Sequence, residues 1–195
     1  MIEVEKKFAA SESDIERITK DAEFISDTVN KDSYYDREGF PLVKNNIFLR
    51  KRNGRFELKL YVAEGGSRVD KYLEVEDDET IKSKLNIPAH KDISEYLAEN
   101  EYFPFGSWKT NRRRFKKNGF TIDVDSVDFG HNVVEVELMV EEGGDTEEAA
   151  NRILNFAKVM GLEEDKQEGK VMVFIKRANL TAYEEIKAAW ASKLN

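Results

Sequence analysis

Segment after segment of this chain alternates an apolar residue with a charged one, and the charges are of both signs. In the opening "MIEVEKKF", Glu3, Glu5 and Lys7 fall on one side of an extended chain and Ile2, Val4 and Phe8 on the other. The same parity sets Phe48, Arg50 and Arg52 against Ile47 and Leu49, and Arg55, Glu57, Lys59 and Tyr61 against Phe56, Leu58 and Leu60. It sets Thr121, Asp123 and Asp125 against Phe120, Ile122 and Val124, and Glu135 and Glu137 against Val134, Val136, Leu138 and Val140. The run Arg112-Arg113-Arg114-Phe115-Lys116 divides into Arg112, Arg114 and Lys116 against Arg113 and Phe115. In "KVMVFIK", Lys170 and Lys176 stand against Val171, Val173 and Ile175.

The alternation predicts strands at the start and over about 31–36, 46–52, 55–62, 68–76, 107–117, 119–127, 131–141 and 170–177. Gly54, Gly65-Gly66, Asn118-Gly119 and Gly130 punctuate them, Asn-Gly being a strong hairpin signal. Helical spacing predicts helices over 11–26, 78–85, 93–100 and 146–160, with Gly161 as the stop of the last. A final helix carries Ile186, Ala189, Trp190 and Leu194 behind a capping box, Thr181-x-x-Glu184. Many strands with helices outside them imply one α+β domain, residues 1–195, on a large antiparallel sheet or barrel.

Two arrangements satisfy the alternation. The charged faces meet water, or the sheet curls with its apolar side outward under the helices and the charged faces converge inside. Solvated faces usually include Ser, Thr, Asn and Gln, whereas these are dense in Glu, Asp, Arg and Lys, and 36% of the chain is charged. An interior lined by both signs is costly to desolvate unless its charges pair or hold ions. Gathered carboxylates suit a hard divalent cation such as Mg²⁺, and gathered Arg and Lys suit phosphate oxygens. A metal beside a basic clamp is what phosphoryl transfer requires.

The function classes that remain are narrow. With no cysteine and two histidines, disulfides, thiolate sites and His-rich sites are excluded. A net charge of −8 argues against nucleic acid as partner, and "NRRRFKK" splits between two faces. The sequence has no apolar run of the roughly 18 residues a membrane helix needs, and no basic start with an apolar stretch predicts a signal peptide. The expected location is cytoplasmic, and the expected state a monomer.

Glu3-Val4-Glu5-Lys6-Lys7-Phe8 resembles the ExExK signature of the CYTH family, the triphosphate tunnel metalloenzymes. Further matches follow in order: "YYD" at 34–36, "FLRKR" at 48–52, "FELKL" at 56–60, "IDVDSVDFG" at 122–130, "VEVEL" at 134–138, and Lys170. Within the family the run looks most like the animal enzymes that act on thiamine triphosphate. The resemblance implies an eight-stranded antiparallel tunnel with a charged lumen, flanked by helices, and a Mg²⁺-dependent hydrolase, with Mn²⁺ as substitute. It implies that Glu3, Glu5, Asp123, Glu135 and Glu137 face the metal, and that Lys7, Arg50, Arg52, Lys59, Arg112 and Lys170 clamp the triphosphate. It pairs Tyr34 with Lys7 near the attacking water, leaving Asp125 and Arg114 inward without a stated role.

The resemblance departs at Phe48, where the mammalian thiamine enzymes carry a tryptophan that stacks on thiamine. Phe48 keeps an aromatic face for a cationic ring. Trp108 and Trp190 read as packing residues. The alternatives are an inorganic tripolyphosphatase, a class IV adenylyl cyclase, and a non-catalytic polyphosphate-binding module.

Overall fold

The computed structural model describes residues 1–62, 69–162 and 167–193. Its strands are β1 (Ile2–Phe8), β2 (Glu23–Asp36), β3 (Ile47–Arg52), β4 (Arg55–Tyr61), β5 (Asp70–Val75), β6 (Phe103–Lys117), β7 (Phe120–Val127) and β8 (His131–Val140). Its helices are α1 (Glu12–Thr19), α2 (Pro41–Lys44), α3 (Asp78–Leu85), α4 (Ile93–Glu99), α5 (Thr146–Val159), α6 (Lys170–Ala178) and α7 (Leu180–Ser192). The strands hydrogen-bond in the order β1-β5-β4-β3-β2-β6-β7-β8 and the last closes on the first, giving the eight-stranded antiparallel ring with helices that the sequence predicts. The expected Gly65-Gly66 break, the start of the 68–76 segment and Leu194 lie outside the described residues. Among the described residues no helix is long and apolar enough to cross a membrane.

The chain condenses into two compact units. The first comprises residues 1–30, 62–72 and 109–170, and the second 31–61, 73–108 and 171–195. In the first, the apolar sides of β1, β7 and β8 (Val4, Phe8, Ile122, Val134 and Val136) pack on Ile18 of α1 and on Ile153 and Ala157 of α5. In the second, Leu49, Phe56 and Leu58 of β3 and β4 pack on Ile81 of α3 and on Ile93 and Leu97 of α4. Each such side chain contributes about 1.5–3 kcal/mol by leaving water.

Local chemistry sets the element ends. Ser11 caps α1: its hydroxyl accepts from the Asp14 amide while the Asp14 carboxylate accepts from the Ser11 amide. Asn118 (φ 53°) and Gly119 (φ 84°) turn β6 into β7, and Asn53 (φ 49°) and Gly54 (φ 92°) turn β3 into β4. Two consecutive left-handed residues are what a twist-matched two-residue hairpin turn demands.

Three expectations need correction, and one short helix lies outside them. The segment 170–177 is helix, not strand: the unbroken apolar run Val171–Ile175 fits both periods, and burial of Val171, Met172 and Ile175 follows the helical one. The first helix ends at Thr19 rather than near 26, because the chain turns through Asp21 (φ 57°) and Phe24 and Ile25 enter β2, largely exposed. The last helix starts one residue after Asn179, whose side chain accepts from the Ala182 amide at 3.0 Å. Asparagine is the stronger cap, so the Thr181 box does not form the start. The four-residue α2 had no periodic signal to reveal it.

In the second unit Tyr34 stacks on Trp108 at 4.8 Å and 21°, and Trp108 meets Phe174 at 5.2 Å. Gly106 makes room for this: a Cβ there would sit 2.8 Å from Phe174 Cε1 and 2.9 Å from Trp108 Cζ3. Gly106→Ala is therefore expected to cost about 1–3 kcal/mol by overpacking. Thermal unfolding should show this as a Tm lower by roughly 2–4 °C for each kcal/mol. An unchanged Tm would mean the rings give way freely.

Candidate active site

The first unit decides between the two arrangements of the charged faces. Along β1, β7 and β8 both faces are buried: Val4, Ile122 and Val136 on one, Glu3, Glu5, Asp123, Asp125, Glu135 and Glu137 on the other. Sheet register then opposes like charges, because Glu5 lies directly across from Glu137 and Asp123 across from Glu135. Facing carboxylates destabilise a sheet unless a cation lies among them.

Four side chains supply part of that charge. The Arg112 guanidinium donates from Nε to Asp125 Oδ1 at 2.7 Å and from Nη2 to Asp125 Oδ2 and Glu135 Oε2, each at 2.6 Å, and its Nη1 bonds Asp123. Arg114 grips Asp123 with both prongs, at 2.7 and 2.6 Å, and lies 3.9 Å from Glu137. Lys170, the first residue of α6, reaches Asp125 at 2.5 Å and Glu135 at 3.1 Å. Lys7 bonds Glu5, lies 3.7 Å from Asp70 and places its ammonium 5.9 Å from the Tyr72 ring centre.

Among the described residues this cluster gathers seven carboxylates (Glu3, Glu5, Asp70, Asp123, Asp125, Glu135, Glu137) around these four cations. The protonation equilibria follow. Burial, then the charges of Glu3 and Asp123, push the Glu137 carboxyl well above the usual range, with Arg112 opposing. Burial draws the Lys7 ammonium downward, yet Glu5, Asp70 and Glu135 carry it well above its ordinary value. For Arg112 the same contest between burial and Glu135, Asp125 and Asp123 ends well above the ordinary value.

Two triads of carboxylate oxygens lie close enough to share an ion: Glu3, Glu5 and Glu137, and Asp123, Glu135 and Glu137, with ligand atoms within 4.8 Å of one another. All donors are hard oxygens, all are buried, and Glu137 belongs to both sets. This donor set fits a divalent cation of the Mg²⁺ or Mn²⁺ type.

The second unit gathers the remaining cations. Arg50 bonds Glu57 from Nε at 2.6 Å and donates to the Tyr34 hydroxyl oxygen at 3.3 Å, with Glu74 at 3.7 Å. Arg52 grips Asp32 bidentately at 2.7 and 2.9 Å, and Asp32 is 2% exposed. Lys59 lies 3.4 Å from Glu74. Phe48, on the same side of β3 as Arg50 and Arg52 and across from Lys59, meets Trp190 of α7 edge-on at 6.5 Å and 77°. The Trp190 indole N–H donates to the Val43 carbonyl at 2.8 Å.

The structure thus brings Glu3, Glu5, Lys7, Arg112, Asp123, Glu135, Glu137 and Lys170 together in one unit, and Tyr34, Phe48, Arg50, Arg52 and Lys59 together in the other. Reading the sequence missed Asp32, Asp70 and Glu74. Parity carried their signal, since Asp32 shares a face with Tyr34, and Asp70 with Tyr72 and Glu74.

Comparison with known proteins gives the family and relatives of the same fold. The CYTH domain matches residues 1–171. Thiamine-triphosphatase from Homo sapiens is 25% identical across 95% of this chain and 89% of its own length. The protein of that name from Macaca fascicularis is 25% identical across 99% and 92%. A solved structure from Pyrococcus horikoshii OT3 matches with a TM-score of 0.67 and 21% identity, over 90% of this chain and 99% of its own. A Hippeastrum protein, described as a candidate adenylyl cyclase with a dominant triphosphatase activity, matches with a TM-score of 0.58 and 16% identity, over 89% and 94%.

Proposed function

Because the chain belongs to the CYTH family, we propose that it hydrolyses thiamine triphosphate to thiamine diphosphate and phosphate, as a cytoplasmic monomer dependent on Mg²⁺. The observation that carries the reading is the pair of buried carboxylate triads beside forked arginines. Glu3, Glu5, Asp123, Glu135 and Glu137 would hold the cation. When bound, Mg²⁺ supplies neutralising charge and orients oxygens for in-line displacement.

The chain's own groups do the rest. Lys7, Arg112 and Lys170, with Arg50, Arg52 and Lys59, bind phosphate oxygens and offset the charge that spreads over the transferring phosphoryl group. Lys7 and Tyr34 keep the catalytic roles that the family resemblance gives them: in the second unit the Tyr34 oxygen would orient water by a hydrogen bond, and in the first the Lys7 ammonium would stabilise negative charge. Arg50, which donates to the Tyr34 oxygen, holds that hydroxyl in place.

Phe48 with Trp190 favours an organic triphosphate over the inorganic one, since tripolyphosphate has no ring to meet an aromatic pair. Phosphate release measured across thiamine triphosphate, tripolyphosphate and ATP, with and without Mg²⁺, tests the assignment. The expected result is Mg²⁺-dependent release with the highest kcat/KM for thiamine triphosphate. Preference for tripolyphosphate, or cyclic AMP from ATP, would replace it with the corresponding alternative. Trp190→Ala should raise KM for thiamine triphosphate about 2- to 30-fold, the equivalent of a cation–π contact, and leave tripolyphosphate turnover unchanged.

A further inference from the structure

We propose that Arg112 is a latch that couples anion binding to cation binding: while it holds Asp123, Asp125 and Glu135 it closes one carboxylate triad, and a phosphate that takes the guanidinium opens it. The inference rests on the reading that these carboxylates receive a divalent cation.

Donor arithmetic supports the latch. A guanidinium has five N–H donors in a fixed fork. Four contacts of Arg112 already run to carboxylates, one to Asp123, two to Asp125 and one to Glu135. Arg112 therefore cannot grip a phosphate bidentately without letting a carboxylate go. The acceptors are equally committed. Asp123 takes Arg112 on Oδ2 and Arg114 on both oxygens, and Glu135 takes Arg112 on Oε2 and Lys170 on Oε1. A cation entering the Asp123, Glu135 and Glu137 triad meets lone pairs in use and a positive guanidinium bonded to two of its three ligands.

The two triads are thus unequal although they share Glu137. Binding of an anion at Arg112 exchanges one counter-charge for another, with the guanidinium passing to phosphate and the carboxylates to the metal. Linkage makes the effect reciprocal, so bound metal raises anion affinity by the same factor that anion raises metal affinity. Lys170 and Arg114 touch the same carboxylates, but Arg112 alone bridges Asp123, Asp125 and Glu135 among the contacts of these three cations.

Electron paramagnetic resonance of free Mn²⁺ measures cation affinity without turnover. Titrations with and without inorganic phosphate, corrected by a protein-free control, give the coupling. In the wild-type chain phosphate should raise Mn²⁺ affinity at least fivefold. Arg112→Gln should bind Mn²⁺ at least fivefold more tightly than wild type without phosphate, and phosphate should add less than twofold. Arg112→Lys, which keeps a charge but loses the fork, serves if burial of unpaired carboxylates prevents folding of the glutamine variant, and should move both values in the same direction. Equal coupling in wild type and the Arg112 variants, or weaker Mn²⁺ binding on loss of Arg112, overturns the latch. A chain that shows the coupling but releases no phosphate from any triphosphate keeps the latch and loses the hydrolase assignment.

Discussion

Glu137→Gln is expected to lower Mg²⁺-dependent kcat/KM for thiamine triphosphate by about a thousandfold, the upper end of what one electrostatic partner of a transition state is worth. The size follows from its position. Glu137 belongs to both carboxylate triads, lies directly across β1 from Glu5, and is buried. Removing it takes a ligand from each set at once, whereas Glu3 or Asp123 serves one. Glutamine keeps the shape and the carbonyl oxygen but discards the charge, so folding provides a control. In metal-free buffer the variant should melt at or above the wild-type temperature, since burial and the charges of Glu3 and Asp123 outweigh Arg112 in disfavouring the Glu137 carboxylate. Calorimetry in chelator and phosphate release in Mg²⁺ make the two measurements. Wild-type turnover in the variant would remove these carboxylates from metal binding.

The contrast between activity and stability reflects what period two could and could not reveal. Alternation placed Glu3, Glu5 and Lys7 on one side of β1 and Val4 and Phe8 on the other, and the same logic held for β3, β4, β7 and β8. Parity shows which residues share a face and not what that face meets. Only burial of both faces shows that the charges are internal. Where apolar residues run without interruption, parity has nothing to alternate with, so α6 was misread although Lys170 at its start still reaches Glu135. Partner identity was least legible. Asp125 and Arg114 were recognised as inward, yet the forks joining Arg112 to Asp125 and Arg114 to Asp123 depend on the register of β6 against β7, which sets Arg112 opposite Asp125 and Arg114 opposite Asp123. Register is a property of the paired strands and of the Asn118-Gly119 turn between them.

Arg52→Met should fail in two ways, and the two can be separated. Loss of the cation removes a phosphate partner, which should lower kcat/KM about a hundred- to a thousandfold. Loss of the fork also takes from Asp32, whose carboxylate is 2% exposed, both prongs of Arg52, now at 2.7 and 2.9 Å. Breaking a buried pair on one side costs about 3–5 kcal/mol, because the remaining charge stays desolvated. The fork is mostly enclosed, with Arg52 itself 18% exposed, so much of that cost should appear on chemical denaturation. Adding Asp32→Asn to Arg52→Met removes the buried charge that faced the fork and should recover stability while recovering none of the turnover. Asp32 then acts by aiming Arg52, and the guanidinium is the group that meets substrate. Arg52→Lys refines the point: a single ammonium keeps the charge but cannot hold Asp32 and a phosphate with one planar fork, so it should retain stability better than activity. Recovery of turnover in the double variant would show that Arg52 serves the fold alone, and the phosphate contacts of the second unit would then rest on Arg50 and Lys59.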